Sequence, residues 1–435
     1  MEYSRFNFKT RQQIEEFCTK NGIQIGFSDE LKVLSKSVEI GKKTVKNSLG
    51  IHPMEGCDAN PDGSCSDLAL RRYERFAKGG AGLIWFEATA VNPKGKANPR
   101  QLNITEENLE KFKEVRNIIE KESEGCIVIM QLTHSGRFSK PEGKMAPILE
   151  CKNDILDRHQ KLQKLNIITD EELESLEDDF AKSAKLAYMA GFDGVDMKSC
   201  HRYLNSGLLG AFTREGKYGG SFENRTRFLL NCVDKIKAAV NDDSFIISVR
   251  LNIFDSIPYP YGFGVDKSNY LNPDYEEPIR LVKILYEKGV RLLNVTMGTP
   301  YYNPHVNRPF DSGEYIPHEH PLEGVARLIH GAYVIKKEVP EMVVMGTGYS
   351  WLRNYAPYVA AFVKKNNMAD IIGFGREALA YPDFAFDILH DNAMSINKCC
   401  ICCGKCVELM RAGSTPGCVV KDTDVYLPLY REIIK

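Results

Sequence analysis

The chain has 435 residues, 43% of them hydrophobic, which is ample for a large buried core. Its net charge is −1 and its isoelectric point about 6.8, a balance that argues against nucleic acid or an anionic membrane as a partner. The opening MEYSRFNFKTRQQIEEF has no apolar h-region and no stretch reaches 18 uncharged apolar residues, so neither a secretory signal nor a membrane span is expected, and the chain reads as cytoplasmic.

Residues 1–45 precede the first apolar run and are expected to cap the floor of the sheet that follows. Short apolar runs then recur: VKNSLGI (45–51), GLIWF (82–86), CIVIMQL (126–132), FDGVDM (192–197), SFIISVR (244–250), RLLNV (291–295), EMVVM (341–345) and ADIIGF (369–374). They are β-branched or aromatic and rarely alternate, as parallel strands buried on both faces should be. Between them lie helical patterns at 66–79, 105–122 and 170–191, the last two opening on Thr or Asp caps with acidic first turns. Strand and helix alternating about eight times predicts an α/β fold, a closed (β/α)8 TIM barrel over residues 46–392, in preference to an open doubly wound sheet. Three loops after strand C-termini stand out. The stretch from Gly136 to about Asp170 is long enough for a lid, and 255–272 and 299–318 are rich in Tyr and Pro.

Six of the 13 cysteines fall in the last 37 residues, within a tail at 393–435. A cytosolic chain has little use for disulfides, so the cluster points to a metal or redox site. Cys400-x2-Cys403-x2-Cys406-x11-Cys418 offers four thiolates to a [4Fe–4S] cube. The register Cys399, Cys402, Cys406 and Cys418 fits equally well on spacing. A four-cysteine zinc knuckle is the bland reading, but it normally shows two CxxC pairs.

Two glycine loops follow the late strands, MGTGYS (345–350) and GFGREALA (373–380). The second matches G-x-G-x-x-A, yet no further βαβ unit follows it, so a dinucleotide fold is not expected. In a barrel these loops form a phosphate site, which Arg376 would strengthen, and one phosphate suits FMN. The fourth run ends in DMKSCHRYL, which brings Lys198, His201 and Tyr203 to the mouth. Arg250, closing the fifth-strand run, needs an anionic partner: a structural carboxylate or the N1–O2 edge of a reduced flavin.

At these residues the sequence resembles the NADH:flavin oxidoreductase family, that is, Old Yellow Enzyme and its Fe–S-bearing relatives. The motifs are IHPMEG (51–56), GGAGLIWFEATAV (79–91), QLTHSGR (131–137), GFDGVDMKSCHRYL (191–204), KYGGSFENRTRF (217–228), SVRL (248–251) and GFGREALAYPD (373–383). The resemblance implies that Pro53, Met54, Gln131 and Arg250 hold the flavin ring, and that Gly346, Gly348, Gly375 and Arg376 hold the FMN phosphate. It puts Lys198 and His201 where the family binds the substrate carbonyl, and Tyr203 where it often donates a proton. Lys198 departs from the family's His, and Arg202 from its usual glycine. Cys400, Cys403, Cys406 and Cys418 become the favoured [4Fe–4S] ligands. The implied activity is ene-reduction of an enone or enoate, with amine demethylation or a non-catalytic redox module as alternatives. NAD(P)H, ferredoxin, flavodoxin or a separate flavoprotein would supply electrons, the long relatives' nucleotide-binding half is expected to be absent, and a homo-oligomer is expected.

Overall fold

In a computed structural model that describes residues 2–434, the apolar runs become eight parallel strands. They are β1 (Leu49–Ile51), β2 (Leu83–Ala90), β3 (Ile127–Thr133), β4 (Gly194–Met197), β5 (Ile246–Asn252), β6 (Leu292–Thr296), β7 (Val343–Gly346) and β8 (Ile371–Phe374). Neighbours pair in sequence order and β8 pairs with β1, so the sheet closes into the expected (β/α)8 barrel. Every strand residue is buried, which explains why the runs are continuous rather than alternating.

A helix follows each strand: α1 (Asp67–Lys78), α2 (Leu109–Ser123), α3 (Asp170–Met189), α4 (Phe222–Val240), α5 (Glu276–Glu287), α6 (Pro321–Glu338), α7 (Ala356–Lys365) and α8 (Phe384–Asp391). Ser66 caps α1, and Thr169 with Glu172 forms a capping box on α3. The second helix starts later than its sequence suggests. Thr105 and Asn108 bond to each other, and the Asn108 amide also reaches the carbonyls of Asp62 and Asn103, so the chain turns once before winding.

The floor is closed by a hairpin, Val38–Ile40 with Lys43–Val45. Its Val38, Ile40 and Val45 pack on the strand starts at Leu83, Trp85, Ile129, Ile246 and Ile371. The earlier residues go elsewhere: Tyr3 bonds the Asp311 carbonyl, and Phe6 N donates to Asp311 Oδ1 at 3.1 Å, beside the loop after β6. Two further helices, Lys405–Arg411 and Thr423–Ile433, build the tail. Buried Asp422 ties it to α1, accepting both Arg71 Nη atoms at 2.9 Å and also pairing with Arg75.

Candidate active site

Side chains on alternate strand positions share a face, so Asp196 and Lys198 both point into the barrel. Above the apolar floor, Asp196 accepts Trp85 Nε1 (2.8 Å), Gln131 Nε2 (2.6 Å) and the backbone N–H of Arg250 (2.5 Å). Burial lifts its pKa to about 6, against the pull of those donors. Next to this layer His52 accepts from Asn294 at 3.1 Å, and a Cβ on Gly373 would fall 2.3 Å from the imidazole.

Over this platform a cleft opens at the C-terminal ends of the strands. Pro53, Met54, Lys198, His201, Tyr203, Arg250, Gly348, Gly375 and Arg376 all border it, so residues far apart in the chain meet there. Gln131 and Gly346 do not border it. The Gln131 amide is engaged by Asp196, and Gly346 lies behind Tyr349, whose hydroxyl would be 3.0 Å from an added Cβ.

Glu55, not among the residues expected from the sequence, organises the polar side of the cleft. Its Oε1 lies 3.0 Å from Lys198 Nζ and 3.4 Å from the Tyr203 hydroxyl, while Lys198 Nζ sits 3.8 Å over the Tyr203 ring. Tyr203 and Tyr301 share a hydrogen bond of 2.9 Å, and Tyr301 stacks on Phe138 with ring centroids 3.9 Å apart. Burial, then Glu55 and Tyr301, push the Tyr203 hydroxyl well above its usual range, so it keeps its proton at neutral pH. His201 is driven the other way: burial first, then Arg250 and Lys198, hold it well below the usual imidazole range. The neutral ring accepts from Asn307 Nδ2 at 3.1 Å through Nε2, which leaves its proton on Nδ1.

Of the two departures in the β4 motif, Arg202 sits on left-handed backbone. His201 and Arg202 both take positive φ, 64° and 60°, the region in which a glycine is comfortable. Arg202 accepts that backbone because its fully buried guanidinium bonds Asp255 at 2.9 Å and Glu150 at 3.3 Å. Glu150 also takes Arg137 at 3.0 Å, so the 136–170 loop, which carries a helix at Asp154–His159, is fastened to the barrel mouth by buried ion pairs.

The same cleft is rich in guanidiniums. Arg250, Arg308 and Arg376 line it, and none forms an ion pair among the described residues. Arg250 Nε is buried without a hydrogen-bond partner, and Arg376 Nη2 donates to the Pro309 carbonyl at 2.7 Å. Arg376 also borders a second, small cavity faced by Cys400, Cys402, Cys403, Cys406 and Cys418. Cys399 does not face it; its thiol is turned to the Ser395 carbonyl at 3.3 Å. Among the described residues no three His, Cys, Asp or Glu side chains are disposed to hold a single metal ion.

A family model described as NADH:flavin oxidoreductase / NADH oxidase matches residues 34–268, which contain β1 to β5 and the whole Glu55–Lys198–Tyr203 group. The chain belongs to that family. Its relatives include an NADH oxidase of Thermoanaerobacter brockii, 28% identical over 85% of this chain and 52% of that protein. A cinnamate reductase of Clostridium sporogenes is 28% identical over 90% of this chain and 58% of that protein. Among solved structures, a complex of 2-naphthoyl-CoA reductase with 2-naphthoyl-CoA superposes with a TM-score of 0.73 at 22% identity, over 93% of this chain and 58% of that one. The chain thus spans little more than half the length of these relatives.

Proposed function

We propose that the chain is the flavin-binding barrel of an ene-reductase, acting on a C=C bond conjugated to a carbonyl, with residues 46–392 holding FMN and 393–435 holding a [4Fe–4S] cluster. One observation carries the reading: a protonated tyrosine, an ammonium and a neutral imidazole line one cleft together with three guanidiniums that form no ion pair among the described residues. FMN fits those guanidiniums. Arg250 would meet the ring edge, Arg376 and the backbone at Gly348 and Gly375 the phosphate, and Pro53 and Met54 the ring face. The thiols fit a cubane better than one ion, because a cube spreads its four ligands apart and Cys400, Cys403, Cys406 and Cys418 surround one cavity. Cys399, turned away, does not fit the alternative register.

When bound, FMN supplies hydride chemistry and the cluster single-electron transfer. The chain's own residues do the rest. Lys198 Nζ and His201 Nδ1–H hydrogen-bond the carbonyl oxygen where negative charge develops. One such donor is worth about 3 kcal/mol of barrier, roughly a hundredfold in rate. Tyr203 gives its proton to the α-carbon, and Tyr301 and Glu55 hold its hydroxyl in place. Glu55 also neutralises Lys198, so the donor wall carries no excess charge before substrate arrives. NAD(P)H or a reduced ferredoxin, flavodoxin or flavoprotein would provide the electrons, and the NADH oxidase relative supports the first.

The test is protein purified without oxygen, with flavin, iron and sulfide quantified, then reduced and mixed with a cyclic enone and with cinnamaldehyde. Bound FMN, about four irons per chain and rapid oxidation by either acceptor are expected. Colourless or zinc-loaded protein, or a reduced flavin that neither acceptor oxidises, would refute the proposal.

A further inference from the structure

A proton donor in a buried place has to be recharged. Protonating the α-carbon leaves Tyr203 as a phenolate, and that residue is only 2% exposed, so bulk water has little access to its oxygen. Two groups touch the hydroxyl. Tyr301 lies 2.9 Å away, but its own hydroxyl has no second partner among the described residues and burial raises its pKa too, so lending its proton only moves the vacancy. Glu55 differs. Its Oε1 faces the Tyr203 hydroxyl at 3.4 Å and Lys198 Nζ at 3.0 Å, whereas Oε2 makes no hydrogen bond or ion pair among the described residues and is not sealed from the cleft. The side chain keeps 16% of its surface exposed and borders that cleft. One carboxyl therefore reaches from the buried hydroxyl to open space.

We propose that Glu55 returns the proton to Tyr203: its carboxyl is protonated on Oε2 from the cleft and, after a half-turn about Cγ–Cδ, delivers that proton to the Tyr203 oxygen. The inference rests on the ene-reductase reading and adds the path by which its proton donor is restored. Charge sets the direction. With Tyr203 as phenolate and Glu55 as carboxylate, two negative charges stand 3.4 Å apart beside a single ammonium, so the pair draws a proton back. After burial, Glu55 is the largest influence raising the Tyr203 pKa. The other titratable neighbours do not compete. Burial pushes the Cys57 thiol well up, so it holds its proton, and Lys198 Nζ lies 3.8 Å over the ring and hydrogen-bonds Glu55 rather than the hydroxyl. The protons balance. The Tyr203 O–H bond breaks as the α-carbon gains its C–H bond, a Glu55 O–H bond breaks as Tyr203 regains its own, and the carboxylate is reprotonated by hydronium or a buffer acid. One solvent proton is consumed per double bond, and no electron moves in the relay.

The experiment compares, on FMN-loaded protein, the first oxidation of pre-reduced enzyme by cyclohexenone in stopped-flow with continuous turnover under excess dithionite. It is run on the native chain, Glu55→Gln and Glu55→Ala, and flavin reduction by dithionite is timed separately and divided out. Comparing each variant with its own first turnover removes any change in the Lys198 donor. Native later turnovers should keep pace with the first. In Glu55→Gln, whose amide hydrogen-bonds but has no proton to give, later turnovers should run about a hundredfold slower than the first. Formate, a small acid that can enter the cleft, should restore part of that loss, and more of it in Glu55→Ala, where the side chain leaves room. Glu55→Ala answers the same question if the glutamine variant does not fold. First and later turnovers that fall together would make Glu55 a structural support and overturn the proposal, as would a gap that formate does not narrow. If pre-reduced native protein is not oxidised by the enone, the ene-reductase reading falls and takes this inference with it. Native turnover beside a variant with no gap sinks the inference alone.

Discussion

Restoring the family's glycine at position 202 should destabilise the protein. Arg202 is fully buried and supplies the cation for Asp255, whose other donors, Asn252 Nδ2 (2.6 Å) and Phe263 N (2.8 Å), are neutral. Glu150 loses one contact but keeps Arg137, so the deficit falls on Asp255. Removing one partner of a buried ion pair costs about 3–5 kcal/mol. Glycine recovers about 1 kcal/mol of that by relieving the left-handed backbone, so Arg202→Gly should lose about 2–4 kcal/mol and Arg202→Ala more. The sign of the pH dependence follows from Asp255. Burial raises its folded pKa and Arg202 opposes the rise, so without the arginine the carboxyl climbs further. A raised folded pKa means that the folded state binds the proton more tightly, and stability is lost as pH climbs from the unfolded value through the folded one. The deficit of Arg202→Gly should therefore be smaller near pH 5 than near pH 8. Urea unfolding followed by the fluorescence of Trp85 and Trp351, each 1% exposed, measures it. A glycine variant within about 0.5 kcal/mol of native stability, or a deficit that does not change with pH, would refute the reasoning.

Tyr203→Phe should slow oxidation of the reduced flavin by an enone by about a hundredfold or more while leaving reduction of the flavin near the native rate; stopped-flow on the two half-reactions separates them. Cys399→Ser should keep native iron and sulfide content and Cys403→Ser should lose most of it, as metal analysis after anaerobic purification would show. For Asp196, whose pKa burial raises from 3.8 to about 6, the folded state holds the proton more tightly than the unfolded chain. Native stability relative to Asp196→Asn should thus fall by about 2.4 kcal/mol as pH rises from 4 to 7, read from urea midpoints across that range.

The barrel was legible because parallel strands buried on both faces leave continuous apolar runs that survive in any alphabet of Val, Ile, Leu and Phe. The first strand was read too long: 45–51 spans the end of the floor hairpin and a three-residue strand, and both are apolar for different neighbours. Lys198, His201, Tyr203 and Arg250 could be placed because each lies on or just after a strand end, where alternation and the barrel's polarity fix the direction. Glu55, Tyr301 and Arg308 could not. Two of them sit in the 299–318 loop, whose path is set by contacts far off in sequence, such as Asp311 with Trp351 and Arg353. Each left only a trace: Glu55 as the acid in IHPMEG, Tyr301 and Arg308 as members of a Tyr- and Pro-rich loop after a strand. Gln131 belongs to that pattern, but here its amide is held by a carboxylate below the cleft.

Arg376 is a party wall between two chambers, one shaped for a nucleotide and one ringed with sulfur. Because the thiols and the cleft draw on the same positive charge, whatever is loaded on one side must alter the grip on the other, and linkage makes that influence mutual.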